Sequence, residues 1–130
     1  MLYVLDASAL LALIQDERGA NVVNALLEDH ECVASSVNLA EVGSKLVDKG
    51  LAPNELRRLL KQIDVQAIDF DAEQATTCAL LRATTRAFGL SLGDRACLAL
   101  AQGMDATAVT ADRAWAELAE ATGVRIEVIR

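Results

Sequence analysis

Four acidic residues lie in short segments whose other residues are mostly apolar or small. The segments are LDAS around Asp6, NLAEV around Glu41, SLGDRACLALA around Asp94 and TADRAW around Asp112. Each acid has a simple structural explanation. Asp6 and Asp112 could cap the helices that follow them, and Asp94 in a first helical turn would favour the helix dipole. Glu41 stands four residues before Lys45, the spacing of a surface ion pair.

Taken together, the four carboxylates predict a cation site if the fold brings them to one edge. At a spacing of about 5 Å and an effective dielectric of about 20, each pair repels by roughly 3 kcal/mol. Either some of the carboxyls then stay protonated or cations fill the pocket. A ligand set of oxygens without thiolate or imidazole favours Mg²⁺ or Mn²⁺ over zinc.

The rest of the sequence leaves few other routes to catalysis. His30 is the only histidine, and its polar surroundings predict a solvated turn residue. A single histidine in that setting assembles no base with a paired nucleophile. Water activated by a bound metal ion is the remaining route.

Composition predicts one helix-rich globular domain over residues 1–130. The chain is 53% hydrophobic and only 3% aromatic, and its length suffices to bury a core. Cys32, Cys78 and Cys97 form no motif, so we expect reduced, buried thiols in a cytoplasmic protein. Asp6 interrupts the apolar start before a signal peptide could form, and no run approaches the roughly 18 apolar residues of a membrane span. The net charge of −7 argues against nucleic-acid binding unless metal ions offset several carboxylates.

Short apolar runs alternate with longer segments of helical period, which predicts a parallel sheet with helices on both faces. The strand-like runs are Leu2–Leu5, Glu31–Ser35, Val65–Phe70, Ala106–Thr110 and Arg125–Ile129. The helix-like segments are Ala7–Ile14, Gly19–Glu28, Asn38–Lys49, Pro53–Ile63, Ala72–Phe88, Gly93–Gly103 and Asp112–Thr122. Gly50, Gly89 and Gly123 are predicted to end helices, and Pro53 to begin one. Asp6 directly follows the first strand and Asp112 follows the fourth, so both should lie at the edge where ligands bind in such sheets.

The segments LDASALLALI, VNLAEVGSKL, LSLGDRACLALA and VTADRAW, in this order and spacing, closely resemble the PIN-domain ribonucleases. Within that family they are similar to the VapC toxins of bacterial VapBC toxin–antitoxin pairs. The resemblance covers essentially the whole chain. It implies an α/β three-layer sandwich with a five-stranded parallel sheet of order 3-2-1-4-5, in which strands one and four are neighbours.

The resemblance also implies an activity and a set of site residues. Members of the family cleave RNA phosphodiester bonds with Mg²⁺ or Mn²⁺, leaving 5′-phosphate and 3′-hydroxyl ends. Asp6, Asp94 and Asp112 would hold metal directly or through water, and Glu41 would complete the site and orient the attacking water. Hydroxyl positions of the family fall on Ser8 and Thr110, which would lie behind the ligands.

Partners follow from the same resemblance. The chain should form a homodimer, act on a transfer or ribosomal RNA, and bind a cognate VapB-type antitoxin that covers the acidic site. DNA would be contacted only through the antitoxin, and no membrane is involved.

Cationic side chains are the candidates for gripping RNA, because aromatic residues are too few for base stacking. Arg95 and Arg113 each follow a proposed metal ligand, and Arg82 and Arg86 share a helix face at i, i+4. A solvated helix surface with local ion pairs would explain all four equally well. Trp115 is predicted in the core or a dimer interface rather than on an RNA-binding surface.

Other classes fit the sequence less well. A receiver-type phosphoacceptor would have an acidic pair after the first strand and a lysine after the last one, and a haloacid-dehalogenase-like phosphatase would have Asp-x-Asp. Here Ala7 and Ser8 follow Asp6. A PIN-like binding module that has lost catalysis stays open, and metal-dependent RNA cleavage distinguishes it from an enzyme.

Overall fold

The computed structural model describes residues 1–130 as five strands and seven α-helices. The strands are β1 (Leu2–Leu5), β2 (Glu31–Ser35), β3 (Gln66–Ile68), β4 (Thr107–Thr110) and β5 (Arg125–Val128). The α-helices are α1 (Ala7–Ile14), α2 (Ala20–Asp29), α3 (Ser36–Asp48), α4 (Pro53–Gln62), α5 (Ala72–Thr84), α6 (Leu92–Met104) and α7 (Leu118–Thr122). Short 3₁₀ helices span Arg86–Phe88 and Arg113–Glu117.

All strand pairs are parallel, and the strand order is β3-β2-β1-β4-β5. This confirms the predicted α/β sandwich and its order. In the pairing of the two central strands, Leu5 lies opposite Val109. The carboxyl ends of β1 and β4 therefore meet, and the loops that follow them share one edge.

Two apolar clusters fill the two faces of the sheet. Successive residues of a strand point to opposite faces, and accordingly Leu5 joins the cluster under α1 to α4 while Val4 joins the cluster under α5 to α7. Trp115 belongs to the second cluster and is 1% exposed, which confirms a core position. No helix is long and apolar enough to span a membrane.

All three cysteines are free and buried, as predicted. Burial raises the pKa of Cys32 to about 11, and it raises the pKa values of the Cys78 and Cys97 thiols as well. Because the thiolate is the reactive form, these side chains behave as small apolar groups rather than nucleophiles.

Two predicted helices are wrong in extent. The segment predicted as Ala72–Phe88 leaves the α-helix after Thr84, where the buried Thr85 hydroxyl donates to the Leu81 carbonyl at 2.6 Å. Such back-bonding by a β-branched residue competes with helix continuation. Arg82 therefore lies on α5 and Arg86 on a 3₁₀ turn, so the predicted shared α-helical face does not exist.

The other correction concerns Asp112–Thr122, whose first half is the 3₁₀ helix Arg113–Glu117. Elsewhere the boundary signals hold. Pro53 begins α4, and Gly50, Gly89 and Gly123 take the positive φ angles, 97°, 62° and 71°, expected of glycines that end helices.

Candidate active site

Asp6 lies just beyond β1 and is 4% exposed, which makes it the most buried acid of the four. Its Oδ1 accepts the Ser8 hydroxyl at 2.7 Å and the Ala9 backbone N–H at 2.8 Å. Its Oδ2 accepts the Thr110 hydroxyl at 2.6 Å. The bond from Ala9 caps α1, so the capping explanation is correct, but it accounts for only one of three hydrogen bonds.

The pKa of Asp6 is raised above the ordinary value of 3.8, chiefly because burial penalises the charged form. The bonds from Thr110, Ser8 and Ala9 oppose this rise, and the nearby charge of Asp94 adds to it. A buried carboxyl destabilised by a second carboxylate is an arrangement that a bound cation would relieve.

Ser8 and Thr110 join the loops after β1 and β4. The Ser8 oxygen accepts the Ala111 N–H at 2.9 Å and lies 3.3 Å from the Thr110 oxygen. Thr110 in turn accepts the Asp112 N–H at 3.1 Å. Both hydroxyls thus hold Asp6 and connect it to the segment that carries Asp112.

Asp112 is exposed and caps the 3₁₀ helix, with Oδ1 accepting the Ala114 N–H at 3.0 Å. Asp94 is half-buried in the first turn of α6. Its Oδ2 accepts the Ser91 N–H at 3.0 Å while its own N–H donates to the Ser91 hydroxyl, a reciprocal capping box. The predicted capping role of Asp112 is confirmed, and Asp94 lies in the first helical turn, where its predicted interaction with the helix dipole is favourable.

Glu41, half-buried on α3, makes no ion pair with Lys45; the two ion pairs of the protein lie elsewhere. Its Oε1 accepts the Asn38 side-chain amide at 3.1 Å, and the same amide nitrogen donates to the Gly93 carbonyl at 3.1 Å. A Cβ on Gly93 would overlap the Glu41 carboxylate. Glu41 therefore lies directly against the start of α6, one residue before Asp94.

The buried thiol of Cys97 lies within electrostatic range of three of the acids. After burial, the charges of Asp6, Asp94 and Glu41 are the causes that raise the pKa of this thiol. Asp112 is connected to Asp6 through Thr110. The structure thus places all four predicted acids at the same sheet edge.

The four acids offer carboxylate oxygens, the type of ligand that a hard cation prefers. As the side chains stand, no three His, Cys, Asp or Glu residues form a group that could hold a metal ion. One oxygen of each of Asp94, Asp112 and Glu41 nevertheless accepts no hydrogen bond, since only Oδ2, Oδ1 and Oε1 respectively are engaged. Carboxylate oxygen is the ligand that Mg²⁺ and Mn²⁺ prefer.

The arginines are placed unequally. Arg95 is half-buried and its Nη1 donates to the Cys78 carbonyl at 3.1 Å, so it is engaged between α5 and α6. Arg113 is exposed and donates to the Arg130 carbonyl. Arg82 and Arg86 are exposed on α5 and on the turn after it. Contacts of these four with RNA stay a prediction.

Sequence reasoning missed Asn38 and Gly93. Asn38 precedes Glu41 by three residues, a spacing that places both on one helix face, and Gly93 immediately precedes Asp94. Gly43, on the helix that carries Glu41, has more room, since an added Cβ there would meet the Leu56 side chain at an ordinary 3.7 Å.

The sheet is parallel, and acidic side chains follow its central strands β1 and β4. This arrangement is typical of α/β domains that bind a ligand at the carboxyl ends of their strands. The model of the PIN domain family matches residues 3–121, so the chain belongs to the PIN domain family. No curated protein sequence gives a significant match.

Solved structures with the same fold include toxin–antitoxin complexes and a toxin. VapBC2 from Rickettsia felis, bound to a promoter DNA fragment, is 21% identical to this chain with a TM-score of 0.74. DNA-bound VapBC from Salmonella typhimurium is 20% identical with a TM-score of 0.74. Both comparisons cover 100% of each chain. VapC20 from Mycobacterium tuberculosis, described as a sarcin–ricin loop cleaving toxin, is 13% identical with a TM-score of 0.72, over 88% of this chain and 93% of that one.

Proposed function

We propose that this protein is a metal-dependent endoribonuclease and the toxin of a VapBC-type toxin–antitoxin pair. One observation carries the proposal: Asp6 is buried at the meeting point of β1 and β4, held by two hydroxyls, and faces the charge of Asp94. Capping α1 requires neither the burial nor the second acid.

Asp6, Asp94 and Asp112 are the residues that would hold Mg²⁺ or Mn²⁺, with Glu41 completing the set. Such an ion, when bound, supplies a water of lowered pKa and positive charge at the scissile phosphate. The water oxygen bonds to phosphorus, the bond from phosphorus to the 3′-oxygen breaks, and the proton ends on that oxygen. The products are 5′-phosphate and 3′-hydroxyl ends.

The protein's own contribution is to fix its carboxylates before RNA arrives. Ser8 and Thr110 hold both oxygens of Asp6 and leave it little rotational freedom. Glu41 is held at Oε1 and keeps Oε2 free of hydrogen bonds, which suits it to accept a hydrogen bond from the attacking water and orient it.

A cleft of about 420 Å³ that begins at Ser8 is the proposed path of the RNA backbone. Its lining carries three cations and two carboxylates: Lys45, Lys49, Arg130, Glu17 and Asp48. In a chain of net charge −7, this cationic group beside the acidic edge is well placed for phosphate.

Lys45→Ala should raise KM for RNA and weaken the salt dependence of RNA binding. Lys61→Ala, on the exposed side of α4, should change neither quantity. Equal effects of the two substitutions would remove the cleft from the proposal.

The partners are proposed from neighbours that include two VapBC complexes and a further toxin–antitoxin complex. We expect a VapB-type antitoxin that covers the acidic edge, a homodimer, and an RNA substrate, all in the cytoplasm. DNA would be bound by the complex through the antitoxin.

The test is cleavage of end-labelled total RNA by purified, antitoxin-free protein with Mg²⁺, Mn²⁺ or EDTA. A folded Asp94→Asn variant, purified in parallel, controls for contaminating nucleases. Discrete cuts that need the metal and vanish in the variant are expected. Folded protein that binds Mn²⁺ and RNA but cuts no RNA would favour the silent binding module.

A further inference from the structure

We infer that Asn38 is a positioning residue of the acidic site, which fixes Glu41 against the start of α6. The inference rests on the proposed function, because it assigns a role within that same site. It concerns a residue that is not one of the four acids.

The first argument is the geometry of the amide. Asn38 is 1% exposed, and its Nδ2 donates both to Glu41 Oε1 and to the Gly93 carbonyl, each at 3.1 Å. An amide nitrogen has two hydrogens, so both are used. One side chain thereby joins an acid on α3 to the residue that precedes the acid on α6.

The second argument is the unpaired oxygen. Asn38 Oδ1 is buried and has no hydrogen-bond partner. Buried polar atoms are nearly always paired, and an exception calls for an explanation. Both acceptors around Nδ2 are oxygens, so exchanging the amide oxygen and nitrogen would bring acceptors together and lose both bonds. The orientation is therefore set by Glu41 and Gly93 at the expense of Oδ1.

The third argument is the fit of Gly93. A Cβ there would come within 2.5 Å of the Glu41 carboxyl carbon. Glycine leaves the space that Glu41 occupies, and Asn38 keeps Glu41 in it. Carboxylates held in this way by groups behind them bind metal and water in one orientation, and loss of such groups costs about 10- to 100-fold in metal affinity or activity.

Asn38→Ala is expected to lower Mn²⁺ affinity, measured by calorimetry, about tenfold, and to lower kcat for RNA more than it raises KM. Asn24→Ala, an exposed asparagine on α2, is the matched control and should change neither. The decisive comparison repeats Asn38→Ala in a Glu41→Ala background. If Asn38 acts through Glu41, no further loss occurs there; an equal loss in both backgrounds would overturn the inference.

A measurement on the unmodified protein covers the case in which the variants fail to fold. In a Mg²⁺ titration followed by NMR, the side-chain NH₂ signals of Asn38 should shift together with the backbone signals of Asp6 and Asp94. If those backbone signals shift while the Asn38 signals stay constant, the inference is wrong and the proposed function stands. If none shift with either Mg²⁺ or Mn²⁺, the proposed metal site itself is wrong.

Discussion

Asp6 and Glu41 are two acids of the same sheet edge that are held in different ways. Asp6 is buried and its two oxygens receive three hydrogen bonds from residues at the ends of β1 and β4. Glu41 is half-buried and held by one amide, in a space that exists because residue 93 lacks a side chain. The ends of the strands thus supply a rigid half of the site around Asp6, and the packing of α3 against α6 supplies a second half around Glu41.

The largest expected effect comes from changing the rigid half. Asp6→Asn keeps the size of the side chain but removes its charge, so we expect RNA cleavage to fall by at least about 100-fold, since groups behind metal ligands alone are worth 10- to 100-fold. Asp71→Asn is the matched control, because Asp71 is likewise a capping carboxylate, bonded to the Gln74 N–H at 2.8 Å, but is exposed at the start of α5. Comparable losses of RNA cleavage in the two variants would show that the loss of a helix cap, not the loss of a site carboxylate, lowers the activity.

Among these variants, Thr110→Val should cause the largest change in stability. It removes the 2.6 Å bond to Asp6 and the acceptor for the Asp112 N–H from a fully buried position, which we expect to lower the free energy of unfolding by about 2 kcal/mol. Urea denaturation measures it. Thr76→Val, at an exposed site on α5, should change stability by only a few tenths of a kcal/mol; a similar result for Thr110→Val would mean that the Asp6 half is not rigid.

Gly93→Ala changes the half of the site around Glu41 without replacing an acid. The added methyl group requires Glu41 to move, so Mn²⁺ affinity should fall by about tenfold while the protein stays folded. Gly103→Ala, on the same helix with no atom within 4 Å of the added Cβ, should leave affinity unchanged and raise stability by up to about 1 kcal/mol. Equal affinities in the two variants would show that the position of Glu41 is unimportant for the site.

The smallest expected effect is a pH dependence of stability from Asp6. Its folded pKa is raised above 3.8, so between the two values the folded state binds more protons than the unfolded state. The contribution of Asp6 to stability is therefore fully present below about pH 3.8 and is lost as pH rises through the folded pKa. In EDTA, the difference in Tm between Asp6→Asn and the unmodified protein should shift in favour of the variant across that window. A difference that is constant with pH would contradict the burial of Asp6.

Local signals in the sequence were enough for most of the fold. β1, β2 and α1 have the predicted bounds, because apolar runs and the capping aspartate act within a few residues of one another. The same locality placed Asp6 and Asp112 beyond strands that turn out to be neighbours. The error at Thr84 and Thr85 arose because apolar periodicity continues past Thr85, where the buried hydroxyl bonds to the Leu81 carbonyl and the α-helix ends.

The partner of Glu41 shows what the sequence alone left undecided. On a helix, Lys45 at i+4 and Asn38 at i−3 are both neighbours of Glu41, and the charge favours the lysine. The choice falls on Asn38 because α6 packs against this side of α3 and brings the Gly93 carbonyl, 55 positions away, within reach of the amide. Residue types and spacing determined which acids stand at the sheet edge, whereas helix packing decided how they are held, since that depends on contacts between residues far apart in the chain.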